Sequence, residues 1–371
     1  MKISYVNGVC VKNDAISNVI RDEIRALRSA GIDQIRLFSY RCENDDLPSL
    51  CVSELRDVAY DEHFLKSDVV IFHFGIFYPL FDLLAMTPVH SRKLVVFHNV
   101  TPKELVKKKD REVIEKSFAQ MANIAWADHV LCDSDLNLEV LRSRGIRTPA
   151  TVLPLAIHAP AVLPRVKPSF ADGIVRVAFV GRFVKTKGPE ELLAALKQLR
   201  MPGNKRHLKV DFVGNTSFSD QDVLRKVRET IDEINLDPAR HIRAAIHGDA
   251  DDATRDEILR DADVFVLPTW HEGFGMPIVE AIAAGCYVIA YDNSNTPSVM
   301  GGLGSLVPTG NIDALCDSLS TTIDKVTSTA WRSNGPESYA AYLKHAGAHA
   351  RKYEPAKVAQ DFVDFVKEFA A

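Results

Sequence analysis

Two carboxylates, Glu272 and Glu280, stand with seven residues between them, and the turn after the first is Gly273-Phe274-Gly275. An apolar run, residues 264–268, leads into this stretch, and Met276-Pro277-Ile278-Val279 opens a helical pattern that carries Glu280. A glycine-bearing turn at the start of a helix points backbone N–H groups at whatever lies in front of it, and such an end attracts an anion. One carboxylate then lies at the mouth of the turn and the other one to two turns inside the helix. That arrangement suits a phosphorylated sugar, with phosphate on the N–H groups and hydroxyls on the carboxylates. Glu272 can also be read as a solvated turn residue and Glu280 as a surface residue of its helix. Against this, Glu280 is flanked by Ile278, Val279, Ala281, Ile282 and Ala283, and a carboxylate in so apolar a helix needs a partner or a ligand.

A second constellation carries positive charge. The apolar run 175–180 ends at Gly181-Arg182, and Lys187-Gly188 precede a helical pattern from Pro189. Arg182 and Lys187 can place two cations beside a diphosphate, the arginine in bidentate fashion. In the N-terminal half, His98 ends the apolar run 94–98. It reads either as a ligand-facing residue or as a satisfied histidine at a sheet end. His73, at the end of the preceding apolar run, is a weaker candidate of the same kind and more often a packing residue. Asp249 and Ala250 follow the run 242–247, and Gly8 follows the first apolar run. Strand ends of this kind line ligand pockets in open α/β sheets, although each of these residues also fits an ordinary turn.

The elements that must position these groups alternate strand and helix. Apolar runs occur at 35–40, 69–74, 94–98, 129–132 and 151–157, then again at 175–180, 208–213, 242–247, 264–267 and 287–290. Helical spacing separates them, as at Ile16, Val19, Ile20, Ile24 and Leu27, with Gly31 placed to end that helix. The pattern predicts an α/β chain of two doubly wound, Rossmann-like domains facing across a cleft. The expected divisions are 1–160, 161–340 and a helical tail 341–371, with a proline-bearing linker at 158–168.

The stretch 270–281 and the Gly181-Arg182…Lys187-Gly188 element together resemble the signatures of family 4 of the retaining glycosyltransferases, which have the GT-B fold. The resemblance implies transfer of a sugar from a nucleotide-sugar donor to an acceptor hydroxyl. It implies that Arg182 and Lys187 hold the donor diphosphate and that the backbone of Gly273, Phe274, Gly275 and Met276 caps the phosphate. In the family the residue at Glu280 bonds the ribose and that at Glu272 faces the transferred sugar. A histidine at the strand end of His98 touches the sugar or the reaction centre, and Asp249 and Ala250 lie beside the base. The family's double glycine after the first strand is represented here by Gly8 alone, which leaves the acceptor side less defined than the donor side. The last helix is expected to cross back to the N-terminal domain. The sequence around His98 is similar to members acting in bacterial surface-polysaccharide assembly, several of them mannosyltransferases, so GDP-mannose is the favoured donor and a saccharide or lipid-linked saccharide the expected acceptor. The nucleotide sugar is a substrate, and no cofactor or metal is implied. A sugar-nucleotide epimerase of the same fold, and a non-catalytic nucleotide-sugar-binding subunit, are the rival readings.

Bulk properties narrow the field further. A formal net charge of -4 argues against a general nucleic-acid binder. The N-terminal apolar run is too short for a signal peptide, and no run approaches the length of a membrane span. The six cysteines are scattered without a Cys-x-x-Cys pair, as expected of reduced thiols in a cytoplasmic protein. Asp133-Ser134-Asp135 has the form of a metal–nucleotide motif, but Ser134 and Asp135 are better read as helix caps. The run 103–111 holds Lys103, Lys107, Lys108, Lys109 and Arg111. It reads as a solvated face or as a peripheral contact with anionic lipid at the inner face of the membrane.

Overall fold

The computed structural model describes residues 1–12, 14–158, 166–200, 207–217 and 219–371. In chain order the strands are β1 (Lys2–Val6), β2 (Val9–Cys10), β3 (Gln34–Ser39), β4 (Arg41–Cys42), β5 (Ser49–Cys51), β6 (Val69–Phe74), β7 (Arg92–Phe97), β8 (His129–Cys132) and β9 (Ala150–Val152). They continue as β10 (Ile174–Val180), β11 (His207–Gly214), β12 (Ile242–Gly248), β13 (Val264–Leu267), β14 (Tyr287–Tyr291) and β15 (Gly304–Val307). One sheet has the order β5-β3-β1-β6-β7-β8-β9 and another β12-β11-β10-β13-β14-β15, while β2 and β4 form a short pair. Among the described residues the strand pairs are parallel. Strands buried on both faces run as nearly continuous apolar stretches. Accordingly, β6 and β13 are buried at every position.

Each large sheet starts near its middle, grows one way, then returns to grow the other way. The order reverses between β1 and β6 in the first sheet and between β10 and β13 in the second. At such a point the loops leaving the two strands diverge to opposite faces and open a crevice beyond the carboxyl ends. Gly8 and His73 lie at the first reversal; Gly181, Arg182 and Glu272 lie at the second.

The chain divides into two compact units, one of residues 1–156 with 353–371 and the other of residues 157–352. The expected linker at 158–168 falls largely on residues 159–165, outside the described residues. The tail forms two helices, Tyr339–Ala350 in the second unit and Pro355–Ala370 in the first.

In the first unit, the helix Ala15–Ser29 buries Ile20, Ile24 and Leu27, as its spacing requires. The Asp14 side chain caps its start, accepting from the Ser17 N–H, and Gly31 just beyond its end has a φ of 81°. These residues share a core with Val69 and Ile71 of β6 and with Phe362, Val363, Val366 and Phe369 of the final helix. Burial of each such side chain stabilises by about 1.5–3 kcal/mol. The Arg92 guanidinium lies 4.6 Å from the Phe369 ring centre, and its Nε donates to the Phe369 carbonyl at 3.0 Å.

Candidate active site

In the second unit, two loops at the sheet reversal are fastened together. The first leaves β10 and runs through Arg182 to Gly188; the second leaves β13 and runs from Pro268 to Gly275. Trp270 N–H donates to the Thr186 carbonyl at 2.8 Å, and the Thr269 hydroxyl donates to the same oxygen at 3.0 Å. Gly188 has a φ of 71°, and a Cβ there would lie 2.1 Å from the Pro268 carbonyl oxygen. Only glycine allows this approach.

The contact brings Lys187 and Glu272 into an ion pair. Glu272 is 6% exposed, so the pair is mostly removed from water. Arg182 is exposed, and its guanidinium has no ion-pair partner among the described residues. The helix Met276–Ala283 starts at Gly275 (φ 101°) with no side chain capping it. Behind the loop, Asn295 Nδ2 donates to the Phe274 carbonyl at 2.7 Å and Asn293 Nδ2 to the Thr269 carbonyl at 2.9 Å. These asparagines, from the loop after β14, escape a reading of the sequence because nothing in their spacing marks them.

Glu280 is half-buried on that helix. Burial pushes its carboxyl above the ordinary range, and the charge of Arg255 draws it partly back. Arg255 is a further residue without a sequence signal; it also pairs with Asp256 and Asp252, each at 3.1 Å. The other strand ends are ordered too. Gly181 N–H donates to the Val213 carbonyl at 2.9 Å, and a Cβ on Gly214 would lie 2.1 Å from the Gly181 carbonyl oxygen. Asp249, at φ 54°, spends its carboxylate on Thr216, accepting from the Thr216 N–H at 2.9 Å and from its hydroxyl. These bonds hold the Asp249 carboxyl below its usual range. Its side chain therefore fixes the loop, and Ala250 beside it is half-buried.

In the first unit, Gly8 follows β1 with its carbonyl accepting from Tyr40 N–H at 2.9 Å and with the Tyr78 side chain packed over it. His98 does not stand alone. Its Nδ1 lies 2.8 Å from Asp133 Oδ2, and its Nε2 lies 2.9 Å from His73 Nδ1; His73 Nε2 lies 3.1 Å from Glu23 Oε2. The sheet register produces this chain. Phe97 pairs with Cys132, so His98 and Asp133 leave adjacent strands side by side. His73 shares a face of β6 with Val69 and Ile71, which the helix Ala15–Ser29 covers, and Glu23 projects from that helix.

The readings of His73 and of Asp133-Ser134-Asp135 change in part here, while the cap at Ser134 stands. His73 is a polar partner of His98 rather than plain packing. Asp133 is bonded to His98, while Ser134 caps the next helix by accepting from Asn137 N–H and Asp135 is that helix's first residue. No group of three or more His, Cys, Asp or Glu side chains among the described residues is arranged to hold a metal ion.

The titration of the chain follows from burial. Burial pushes Glu23 up to about 8, against the pull of His98. Tyr5, Asp133 and Asp22 also act on it. Burial lowers His98, but Asp133, then Glu23 and Asp14, outweigh it and leave the ring above its ordinary value. Burial, reinforced by the His98 charge, drives His73 well below its ordinary value. An acid raised in the folded state stabilises below its unfolded value and loses that contribution as pH rises through its folded value. For Glu23 that window runs from 4.5 to about 8. The raised His98 acts in the same direction above its ordinary value, and the lowered His73 in the opposite one. Glu23→Gln should therefore flatten the fall in stability between about pH 5 and about pH 9, measured by chemical denaturation. Parallel wild-type and variant curves would remove the buried acid from this account.

The basic run is not a single helix. It forms the turns Lys103–Leu105 and Lys108–Asp110 before the helix Arg111–Gln120. Lys107, Lys108 and Lys109 are exposed, whereas Val106 packs against the core of its unit.

Two doubly wound parallel sheets make up the GT-B fold, and in the second of them cationic and acidic loops meet at the reversal. Residues 165–337 match the family model described as glycosyl transferases group 1. The chain is 31% identical over 252 residues to the phosphatidyl-myo-inositol mannosyltransferase of Mycolicibacterium smegmatis, covering 65% of this chain and 58% of that one. It is 29% identical over 205 residues to the D-inositol 3-phosphate glycosyltransferase of Saccharomonospora viridis, covering 54% and 44%. The chain thus spans about half the length of these curated relatives. Among solved structures, the sucrose-phosphate synthase from Thermosynechococcus elongatus superposes with a TM-score of 0.74 at 17% identity, covering 99% of this chain and 98% of that one. At that identity the likeness is one of fold.

Proposed function

We propose that this chain is a retaining glycosyltransferase of the family 4 type, moving a hexose from a nucleotide-sugar donor to an acceptor hydroxyl. The observation that carries the reading is the Lys187–Glu272 pair at the sheet reversal, beside Arg182 and an uncapped helix start. In this reading the donor diphosphate displaces Glu272 as the partner of Lys187. The released carboxylate then accepts a hydroxyl of the transferred sugar. As the anomeric bond breaks, charge collects on the departing diphosphate. Arg182, Lys187 and the helix N-terminus stabilise it there, more strongly than in the ground state. Glu280 accepts from the ribose. The anomeric carbon passes through an oxocarbenium-like state, the acceptor oxygen forms the new bond, and the acceptor proton leaves with the diphosphate.

Mannose from GDP-mannose is the favoured donor sugar, supported by the mannosyltransferase among the relatives. Incubation with a panel of nucleotide sugars, followed by assay of free nucleoside diphosphate, tests the reading. Release that rises with a saccharide or lipid-linked acceptor supports it; a folded protein that releases none from any donor overturns it. Because the diphosphate charge is met by side chains and a helix end, activity should persist in excess chelator. Complete loss that manganese or magnesium restores would assign the charge to a metal instead.

The acceptor class has its own test. No helix among the described residues is long and apolar enough to cross a membrane. A lipid-linked acceptor would then be met at the membrane surface. Each exposed lysine near an anionic surface contributes about 1 kcal/mol. Replacing Lys107, Lys108 and Lys109 together by glutamate should abolish sedimentation with anionic liposomes at low salt while sparing donor hydrolysis. Undiminished sedimentation would show the run to be a solvated face and favour a soluble saccharide acceptor.

A further inference from the structure

Both ring nitrogens of His98 are engaged inside the protein, by Asp133 at 2.8 Å and by His73 at 2.9 Å. The side chain is only 6% exposed. A histidine so placed offers its surroundings its charge rather than a hydrogen bond. The question is what sets that charge.

The chain Glu23–His73–His98–Asp133 has three links. Each link needs one hydrogen, because a carboxylate and a bare ring nitrogen, or two bare ring nitrogens, cannot bond each other. Two neutral imidazoles and two carboxylates bring only two protons. Satisfying all three links requires a third, which leaves the four groups with one net negative charge. Of the arrangements open to those three protons, two decide the charge of His98. In one, protonated Glu23 donates to His73 Nε2, His73 Nδ1–H donates to His98 Nε2, and His98 Nδ1–H donates to Asp133; both rings are neutral. In the other, the Glu23 proton has passed to His73 Nε2 and the His73 Nδ1 proton to His98 Nε2. Glu23 is then a carboxylate and His98 an imidazolium. No proton is gained or lost between the two.

We propose that Glu23, His73 and Asp133 are positioning residues that set the charge of His98 by sharing protons along this chain. Three further observations point the same way. Asp133 is 3% exposed and its second oxygen, Oδ1, has no hydrogen-bond partner among the described residues, so its charge is met through His98. The two imidazoles lie nearly parallel, 14° apart, with centroids separated by 5.2 Å, and Tyr5 stacks on the far side of His73 at 6.0 Å, which shields the middle of the chain. Glu23, at 11% exposed, is the end nearest water. The groups facing the chain are Tyr5 from β1, Asp14 and Asp22 at the covering helix, and Asp133 after β8. None of them is a cation, so none competes with the two rings for the carboxylates of the chain. The inference rests on His98 belonging to the transferase site for its purpose, but not for its test.

The test is a pH titration of the histidine ring nitrogens by 15N NMR on the full chain, in wild type, Glu23→Gln and Asp133→Asn. In wild type the His98 Nδ1 proton should persist through the neutral range. Glu23→Gln should lower the His98 midpoint by about one pH unit, a tenfold change in proton affinity, because the shared proton has lost its reservoir. Asp133→Asn should remove the Nδ1–H signature. If Asp133→Asn does not fold, Glu23→Gln alone decides. A His98 midpoint unchanged in Glu23→Gln, or a wild-type His98 without its Nδ1 proton, overturns the proposal. Nucleoside diphosphate release measured on the same samples separates the two readings: a chain that titrates as described in a protein without transfer keeps this inference and loses the transferase.

Discussion

Replacing Lys187 with alanine should lower turnover at saturating donor by about a hundred- to a thousandfold, the loss typical of one group that stabilises developing negative charge. The lysine also neutralises Glu272, which is 6% exposed, so the same substitution strands a carboxylate and destabilises the fold. The two effects separate in the double variant with Glu272→Gln, which should recover most of the stability and none of the turnover. Arg182→Ala offers a cleaner comparison. Its side chain is exposed and has no ion-pair partner among the described residues, so stability should stay within about 0.5 kcal/mol of wild type. A folded Lys187→Ala protein with near wild-type turnover would show that this lysine does not serve the leaving group.

Glu280→Ala should weaken nucleoside diphosphate binding by roughly ten- to a hundredfold, since a hydrogen bond to a charged group is worth about 1.5–3 kcal/mol. Stability should move little, or even rise in the isosteric Glu280→Gln. Burial already pushes this carboxyl up, so ionising it in place works against the fold. Arg255 keeps Asp252 and Asp256 as partners when Glu280 is gone. Calorimetric titration of the nucleotide against both variants is the measurement. Equal affinities in folded protein would take the ribose away from this residue.

The elements that hold these groups were largely written in the apolar runs. The strands around residues 69–74, 94–98, 175–180 and 264–267 were legible because each is buried on both faces. β5 was not, because all three of its residues are exposed at the sheet edge. β15 was not, because it opens at Gly304, where a Cβ would lie 2.2 Å from the Val288 carbonyl oxygen. An edge strand needs no apolar run, and these two carry none, unlike the edge strand β12. At the site, charged residues next to strand ends could be named in advance, as Arg182, Lys187 and Glu272 were. What the sequence could not supply was pairing across elements. Nothing local joins Lys187 to Glu272, or Asp133 to His98; the sheet register and the meeting of the two loops do. One signal was available and unused. Glu23 lies three residues after Ile20 and four before Leu27, a carboxylate on the buried side of its helix, and such a position requires a partner.

The helix Pro355–Ala370 carries a consequence for biosynthesis. Phe362, Val363, Val366 and Phe369 complete a core whose other members lie within the first 131 residues. A ribosome delivers those members long before it delivers their covering. Until then Ile20, Ile24 and Leu27 have only part of their lid, while the second unit, residues 157–352, is contiguous and can close as soon as it emerges. Domains usually fold in the order of synthesis. This chain should reverse that order, finishing its second unit first and leaving its opening segment the longest in need of a chaperone.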